Sequence, residues 1–441
     1  MPDARLAALN FLEKCRRSDA WSDAVLGSVM DSAGLDSRDR GLCTALCYGV
    51  MQNRILLDRS IAAFSSVKVN KLEPKVLDIL RLSAYQLLFM DRIPVSAAVN
   101  EGVKLCKKLG YARASGLVNA VLRKISSNSG MLLEFTGKSE AETISVRYSH
   151  PLPLVEYFIS LLGLEETELL LRCHNGDVPI YLQINSLKTS REKLLDAFAS
   201  AGIEAKAHPH LLDNVILQDP GAVTALPGFK NGEFYVQDCA AFMSVLTAEP
   251  KEGESILDVC SAPGGKSFAA AILSGDKAKI VSCDIHENKL KRIRDSAARL
   301  GLESISARCA DGRVFIPEFE EAFDLVIADV PCSGLGVIRK KPDIRYKDAS
   351  QFEALSSIQL DILKNVSRYV APGGRILYST CTVRPEENAG IVNRFLANND
   401  SFAAEEFSLP GIGESSNGMM QLWPHRHDTD GFFIAKLRRL K

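Results

Sequence analysis

From Ala4 to about Ile125 apolar residues recur every three or four positions, as in "ARLAALNFLEKC", "RDRGLCTALCYGVMQNRILLDRSIAAF", "KVLDILRLSAYQLLFM" and "AAVNEGVKLCKKL". That period lines one face of a helix, so the front of the chain reads as an all-α domain. Asp91-Arg-Ile-Pro94 ends one of these helices, because proline lacks an amide donor and biases its predecessor away from helical backbone. "SSNSG", Ser126 to Gly130, reads as a linker. Between about 140 and 235 the periods mix. "LVEYFISLLG" and "SREKLLDAFASAG" are helical, while "PIYLQIN" and "NVILQD" are strand-like, which predicts a small α+β module. After "GEFYVQD" strand and helix patterns alternate to the end of the chain, as in a doubly wound α/β sheet. The expected division is therefore 1–128, 140–235 and 236–441, with no internal repeat and no low-complexity tract.

Composition narrows the class. The chain has 441 residues, 46% hydrophobic and 24% charged, ordinary for a globular protein of two or three domains with sizeable cores. No stretch approaches the roughly 18 uncharged apolar residues of a membrane span. The N-terminus alternates charged and apolar residues at helical spacing, unlike a signal or transit peptide. Eleven cysteines without Cys-x-x-Cys or zinc spacing favour reduced thiols, a cytoplasmic location and no metal. Cys43 and Cys47, one helical turn apart with no nearby histidine, read as a buried helix face. Net charge is −1, but residues 1–130 hold 19 Lys+Arg against 12 Asp+Glu, leaving 34 against 42 for the remainder. A basic front end suits an acidic partner such as RNA, and solvated helix faces suit that count equally well.

Candidate chemistry gathers in the last part. The buried-strand run "ESILDV" leads into Cys260-Ser-Ala-Pro-Gly-Gly-Lys266 and then the helical "SFAAAILSG", an arrangement that lets backbone approach a ligand closely. The loop has neither Gly-x-Gly-x-x-Gly nor P-loop spacing, so it provides poorly for a dinucleotide pyrophosphate or a nucleoside triphosphate. Asp284 ends "KIVSCDI", Asp311 follows in "RCADGRVF", and Asp329 ends "FDLVIADV". One such acid is usually a cap or turn former; acids ending successive parallel strands face one crevice. Two strands also end in loop cysteines, Cys332 in "DVPCSG" and Cys381 in "YSTCTVRPEEN". A thiolate is both a good nucleophile and a good leaving group, as transient covalent catalysis requires. Spacing does not say which of the two would bond to a substrate. Alone, Cys332 would read as a small buried hydrophobe.

Together "LDVCSAPGGK", "CDI", "DVPCSG" and "YSTCTVRPEEN", with "FYVQD" before them and "DGFFIAKL" after, resemble the S-adenosylmethionine-dependent RNA cytosine-5 methyltransferases. The front end, from Lys75 to Met90 and through "AVNEGVKLCKK" and "GLVNAVLRK", resembles the RNA-binding NusB fold. The fusion is similar to the bacterial RsmB (Sun, Fmu) type, which methylates small-subunit ribosomal RNA. The likeness covers nearly the whole chain and is most specific over 232–390. It implies a class I methyltransferase fold for the last domain, an RNA-facing middle module, and monomeric action on small-subunit rRNA. In this RNA family the Thr-Cys cysteine is the nucleophile, whereas DNA cytosine methyltransferases use the Pro-Cys one. The resemblance thus assigns Cys381 as nucleophile, Cys332 as the assisting thiol, and Asp329 to the flipped base beside the cofactor. It implies that Cys260, Ser261, Ala262, Pro263, Gly264, Gly265 and Lys266 cradle the amino-acid end of S-adenosylmethionine. Asp284 would take the ribose hydroxyls and Asp311 the adenine amine.

Cys260, Cys283 and Cys309 read as packing residues, and His150, in Arg147-Tyr-Ser-His-Pro151 of the expected middle module, as a turn residue. Two positions depart from the family: Gln183 stands where arginine is usual, and Phe242 where glutamine is frequent. The rival readings are the same reaction on transfer RNA, an RNA-binding assembly factor with a decayed methyltransferase part, and, more distantly, a dehydrogenase. The intact cysteine pair argues against decay.

Overall fold

The computed structural model describes residues 3–17, 22–218 and 221–440. Two compact units form: Met1–Gly176 with Lys340–Lys347, and Asp177–Arg339 with Asp348–Lys441.

The first unit is helical. Helices Ala4–Arg17, Ser22–Ala33, Ser37–Gln52, Arg54–Phe64, Pro74–Phe89, Val95–Lys108 and Ser115–Ser127 bury Leu9, Phe11, Leu46, Leu57, Ile79 and Val118 in one core. Two of the starts have a side-chain cap: Asp36 caps the Asp39 amide at 2.8 Å, and Glu73 caps Lys75 at 3.0 Å ahead of a helix that begins with proline. The helix before Asp91 ends at Phe89, as expected from Pro94. Cys43 and Cys47 are fully buried with sulfurs 3.9 Å apart, so the helix-face reading holds. The stretch 126–130 is not an extended linker. One helix runs to Ser127 and a short one, Ser129–Leu133, follows, burying Leu132 alone of the apolar "MLL".

Lys340–Lys347, which follows the Cys332 loop in sequence, packs inside this unit. Arg345 is fully buried there and donates to Gln52 O (2.9 Å), Asn175 Oδ1 (3.1 Å), Tyr148 O and Ser149 O (both 3.3 Å). Burial among neutral acceptors pushes its guanidinium down to about 10.

The second unit holds two sheets. The smaller joins β1 (Ile180–Ile184), β2 (Ala205–Ala207), β3 (Asn214–Leu217) and β4 (Phe234–Val236) in the antiparallel order β2-β3-β1-β4, with Leu194 and Phe198 of helix Arg191–Ser200 in its core. The larger comprises β5 (Ser255–Asp258), β6 (Lys279–Asp284), β7 (Ile305–Cys309), β8 (Phe323–Asp329), β9 (Val370–Thr380), β10 (Phe402–Ala404) and β14 (Phe432–Arg439), ordered β10-β14-β9-β8-β5-β6-β7. β13 (Met419–Leu422) pairs with β14, and β11 (Ser408–Leu409) with β12 (Gly413–Glu414).

Strands β5 to β9 are parallel, and the order reverses at β5, the switch point where open α/β sheets bind ligands. Asp284 is level with Cys309 and Asp329 with Ser379, while β5 ends two residues short of its neighbours, Asp258 pairing with Ser282 and Ile327. The parallel alternation expected to the chain end stops at β9. β14 runs antiparallel to both β9 and β10. Its central residues are buried, and such an apolar run reads the same in either direction.

Candidate active site

β5 ends in Asp258 and the chain turns through Cys260–Lys266 into helix Gly265–Leu273. The turn is fastened to β6: the Ser261 amide and hydroxyl donate to Cys283 O at 2.7 and 3.0 Å, and Gly264 N donates to Ser261 O at 2.6 Å. Gly264 sits at φ 111°, and a Cβ there would lie 2.4 Å from the Phe268 ring. The first-turn amides of the helix have no intrahelical acceptor and suit a carboxylate. A loop of bare backbone, a basic side chain at its end and an acid on the next strand together fit the amino-acid and ribose parts of an adenosyl-amino acid cofactor.

Lys266 is 8% exposed; its Nζ pairs with Asp329 Oδ2 at 2.7 Å and lies 5.1 Å from the centroid of the Phe432 ring. Asp329 Oδ1 accepts from Ser379 Oγ at 2.8 Å, which fixes the carboxylate between β8 and β9. Asp258 is fully buried: Ser267 Oγ donates to it at 2.6 Å and receives Ser282 Oγ at 2.7 Å. Burial pushes its carboxyl up to about 7, and the acid in direct contact with Lys266 is Asp329, not Asp258. Asp284 is nearly buried and accepts from His286 N at 2.9 Å, with Lys289 Nζ at 3.5 Å. Asp311 follows β7 by two residues and is occupied by Arg313, which donates from its backbone at 2.9 Å and from its guanidinium at 2.6 Å. That side-chain hydrogen bond holds the Asp311 carboxyl below the usual range.

The two loop cysteines meet. Cys332 Sγ and Cys381 Sγ are 3.3 Å apart, and both residues are half-buried. The hydrogen bond from Cys332 lowers the Cys381 thiol, against burial, and Lys266 assists; the Cys332 thiol is pushed well up by the same bond, then by burial and by Glu387. Among the nearby charges Asp329 and Asp430 oppose a thiolate on Cys381 while Lys266 favours one, and Glu387 and Asp329 both oppose one on Cys332, so it is the thiol–thiol contact that separates the two. Of the two thiols, Cys381 is thus the one shifted toward the thiolate form.

Backbone packing holds this geometry. Gly336 N donates to Cys381 O at 3.0 Å and Gly431 N to Gly336 O at 2.8 Å, so three distant segments close against each other. A Cβ at Gly336 would lie 1.8 Å from Gly431 O and 2.8 Å from Cys381 O, both backbone atoms that cannot swing aside. Gly336→Ala is therefore expected to displace the Cys381 loop, costing about 1–3 kcal/mol in thermal unfolding and more than half of the activity. Wild-type activity with an unchanged Tm would contradict that.

The candidate acids and thiols Asp284, Asp311, Asp329, Cys332 and Cys381 all lie in the second unit, and those at strand ends share one sheet edge. Some expectations need correction. Cys260 and Cys283 pack in the core, but Cys309 is exposed, because β7 is an edge strand with one neighbour. Arg147–Pro151 belongs to the first unit, where His150 closes a turn and is buried, its Nε2 3.1 Å from His174 Nδ1. Gln183 is buried and donates to Gln237 O at 3.1 Å, and Phe242 lies in the core. Asp258, Ser379 and Glu387 were passed over, although all three lie inside or beside the quoted motifs. What marks them is burial of a polar group at a strand end or loop, which sequence does not display.

Comparison with known proteins bears directly on this site. Residues 245–438 match the family described as 16S rRNA methyltransferase RsmB/F, 2–127 match the NusB family, and 150–224 match the RsmF/B-like ferredoxin-like domain. The Bacillus subtilis (strain 168) protein named "Probable ribosomal RNA small subunit methyltransferase B" is 36% identical, covering 98% of each chain. The "Ribosomal RNA small subunit methyltransferase B" of Vibrio vulnificus (strain YJ016) is 35% identical over 99% of each. The crystal structure of PH0851 superposes with a TM-score of 0.83 at 26% identity, covering 100% of this chain and 99% of that one. This chain thus belongs to the ribosomal RNA small subunit methyltransferase B family.

Proposed function

We propose that the protein methylates carbon 5 of a cytidine in small-subunit (16S) ribosomal RNA through a transient bond between Cys381 and the base. The observation that carries this reading is the 3.3 Å approach of Cys332 and Cys381 beside the Lys266–Asp329 pair. Carbon 5 of cytosine is too weak a nucleophile to take a methyl group unaided. Addition of the Cys381 thiolate to carbon 6 makes carbon 5 enamine-like, and the proton held by Cys332 passes to the ring. S-adenosylmethionine, when bound, supplies the electrophilic methyl group. The Cys332 thiolate, strongly basic in its buried setting, then takes the carbon 5 proton, Cys381 leaves by elimination, and the proton on the ring nitrogen is lost to solvent. Asp329 meets the exocyclic amine or ring nitrogen of the flipped base, since each of its oxygens retains an acceptor site beyond Lys266 and Ser379.

Cys260 to Lys266 hold the amino-acid end of the cofactor and Asp284 the ribose. Asp311 faces the adenine amine while paired to Arg313. Residues 1–128 and 140–235 carry the RNA, with 236–441 as the catalytic domain of a monomer acting in the cytoplasm. No helix among the described residues is long and apolar enough to cross a membrane.

The test is incubation of the purified protein with labelled S-adenosylmethionine and either small-subunit rRNA or transfer RNA, followed by nucleoside analysis. Label in 5-methylcytidine from the rRNA is expected. Label in transfer RNA alone would move the substrate, and label in another nucleoside would overturn the chemistry.

A further inference from the structure

Cys332 stands in a loop, yet its task requires its sulfur to be placed to within a fraction of an ångström. The backbone on either side of it is held by residues outside the cysteine motifs' thiols. Helix Ser350–Ser367 carries Gln359, which is fully buried. Its Nε2 donates to Pro331 O at 2.9 Å and to Glu387 Oε2 at 2.9 Å. Glu387 Oε2 also accepts from Ser333 N at 2.8 Å, and Glu387, itself completely buried, is anchored by Tyr378 Oη donating to its carbonyl at 2.7 Å. The carbonyl before Cys332 and the amide after it are thus tied to one side-chain pair. A second tie, Ser333 Oγ to Thr382 Oγ1 at 2.7 Å, joins the two cysteine loops directly.

Both groups that face the Gln359 amide nitrogen only accept, so the amide's orientation is fixed by its partners. A buried carboxylate and a buried carbonyl are costly unless satisfied, which makes this glutamine a constraint on the loop and not a filler. It lies mid-helix, and its polar contacts are to Pro331 O and Glu387 Oε2, not to either sulfur.

We infer that Gln359, acting with Glu387, is a positioning residue for the Cys332 thiol and so governs release of the covalent base adduct. The inference rests on the proposed role of Cys332 and extends it to a residue in no catalytic motif. Loss of the clamp leaves Cys381 and the cofactor loop in place, so the base still adds and is still methylated. Proton removal slows, because the Cys332 sulfur is no longer held at its distance.

The test compares wild type, Gln359→Met, Gln359→Asn and Cys332→Ala as full-length proteins with small-subunit rRNA and S-adenosylmethionine. Asparagine keeps the pocket polar and guards against a methionine variant that fails to fold; it is too short to reach both acceptors. Both Gln359 variants are expected to turn over about tenfold more slowly or worse, with KM for RNA unchanged, and to accumulate an RNA adduct on denaturing gels. A purely architectural glutamine would lower adduct formation and turnover together. Slow Gln359 variants without adduct, beside an adduct in Cys332→Ala, would overturn the clamp's role. Wild-type partitioning in a folded Gln359→Asn protein would do the same. No adduct even in Cys332→Ala would remove the release role of Cys332, and the clamp inference with it.

Discussion

Cys381→Ala is expected to lose methyl transfer by at least about four orders of magnitude, equivalent to some 5.5 kcal/mol of transition-state stabilisation. No other thiolate can take its place at carbon 6. Cys332 is close, but burial and the Glu387 and Asp329 carboxylates, which remain in this variant, hold its proton. Serine is a poor substitute as well, because an alkoxide is hard to form at neutral pH and leaves badly from the adduct. The loss should be catalytic and not structural. The side chain is small and half-buried, while the cofactor loop is fastened to β6 through Ser261 and the Lys266–Asp329 pair does not need the sulfur. Affinity for S-adenosylmethionine, read by calorimetry, should be within about threefold of wild type, and no protein–RNA adduct should survive a denaturing gel. An adduct formed by this variant would exchange the roles of the two thiols.

How much of this site the sequence displays depends on the range of the interaction. Asp284 and Asp329 were legible because each closes an apolar strand run, and parallel strands bring their carboxyl ends to one edge. The glycine loop was legible for the same local reason. Asp258 stands in the same motif but was missed: its defining property is complete burial against Ser267 and Ser282, and Ser282 comes from the neighbouring strand. Gln359 looks like any polar residue on an amphipathic helix until the Cys332 loop is folded over it. Gly336 and Gly431 carry no positive φ; only the approach of two remote backbones shows why neither has a side chain. The exposure of Cys309 is likewise set by where β7 falls in the strand order. Arg345 is the extreme case, a charged residue in "KKPDIRYK" that reads as solvated and is instead sealed among carbonyls. Short-range periodicity gives the elements; pairings across the fold decide which polar residues become unavoidable.

Cys332→Ala is expected to do the opposite of the nucleophile variant: to form the covalent complex and fail to release it. Addition at carbon 6 needs the Cys381 thiolate, which Lys266 continues to favour, although the hydrogen bond that most lowers the Cys381 thiol is lost. Adduct formation should therefore slow modestly and shift to higher pH, since removal of a stabilising donor raises the pH at which the thiolate appears. Release suffers far more. Elimination cannot occur until the carbon 5 proton is taken, and without the basic sulfur 3.3 Å from Cys381 that step falls to water, slower by about 10²–10⁴. One methyl group per protein should be transferred in a burst, followed by near arrest. On a denaturing gel most of the protein should migrate as an RNA conjugate that nuclease collapses to a small mass increment. The label distinguishes two explanations: methyl label within the conjugate places the block after transfer, where proton removal belongs. A conjugate without label would place it before transfer and make Cys332 a proton donor in addition only, so that another group would have to serve as the base.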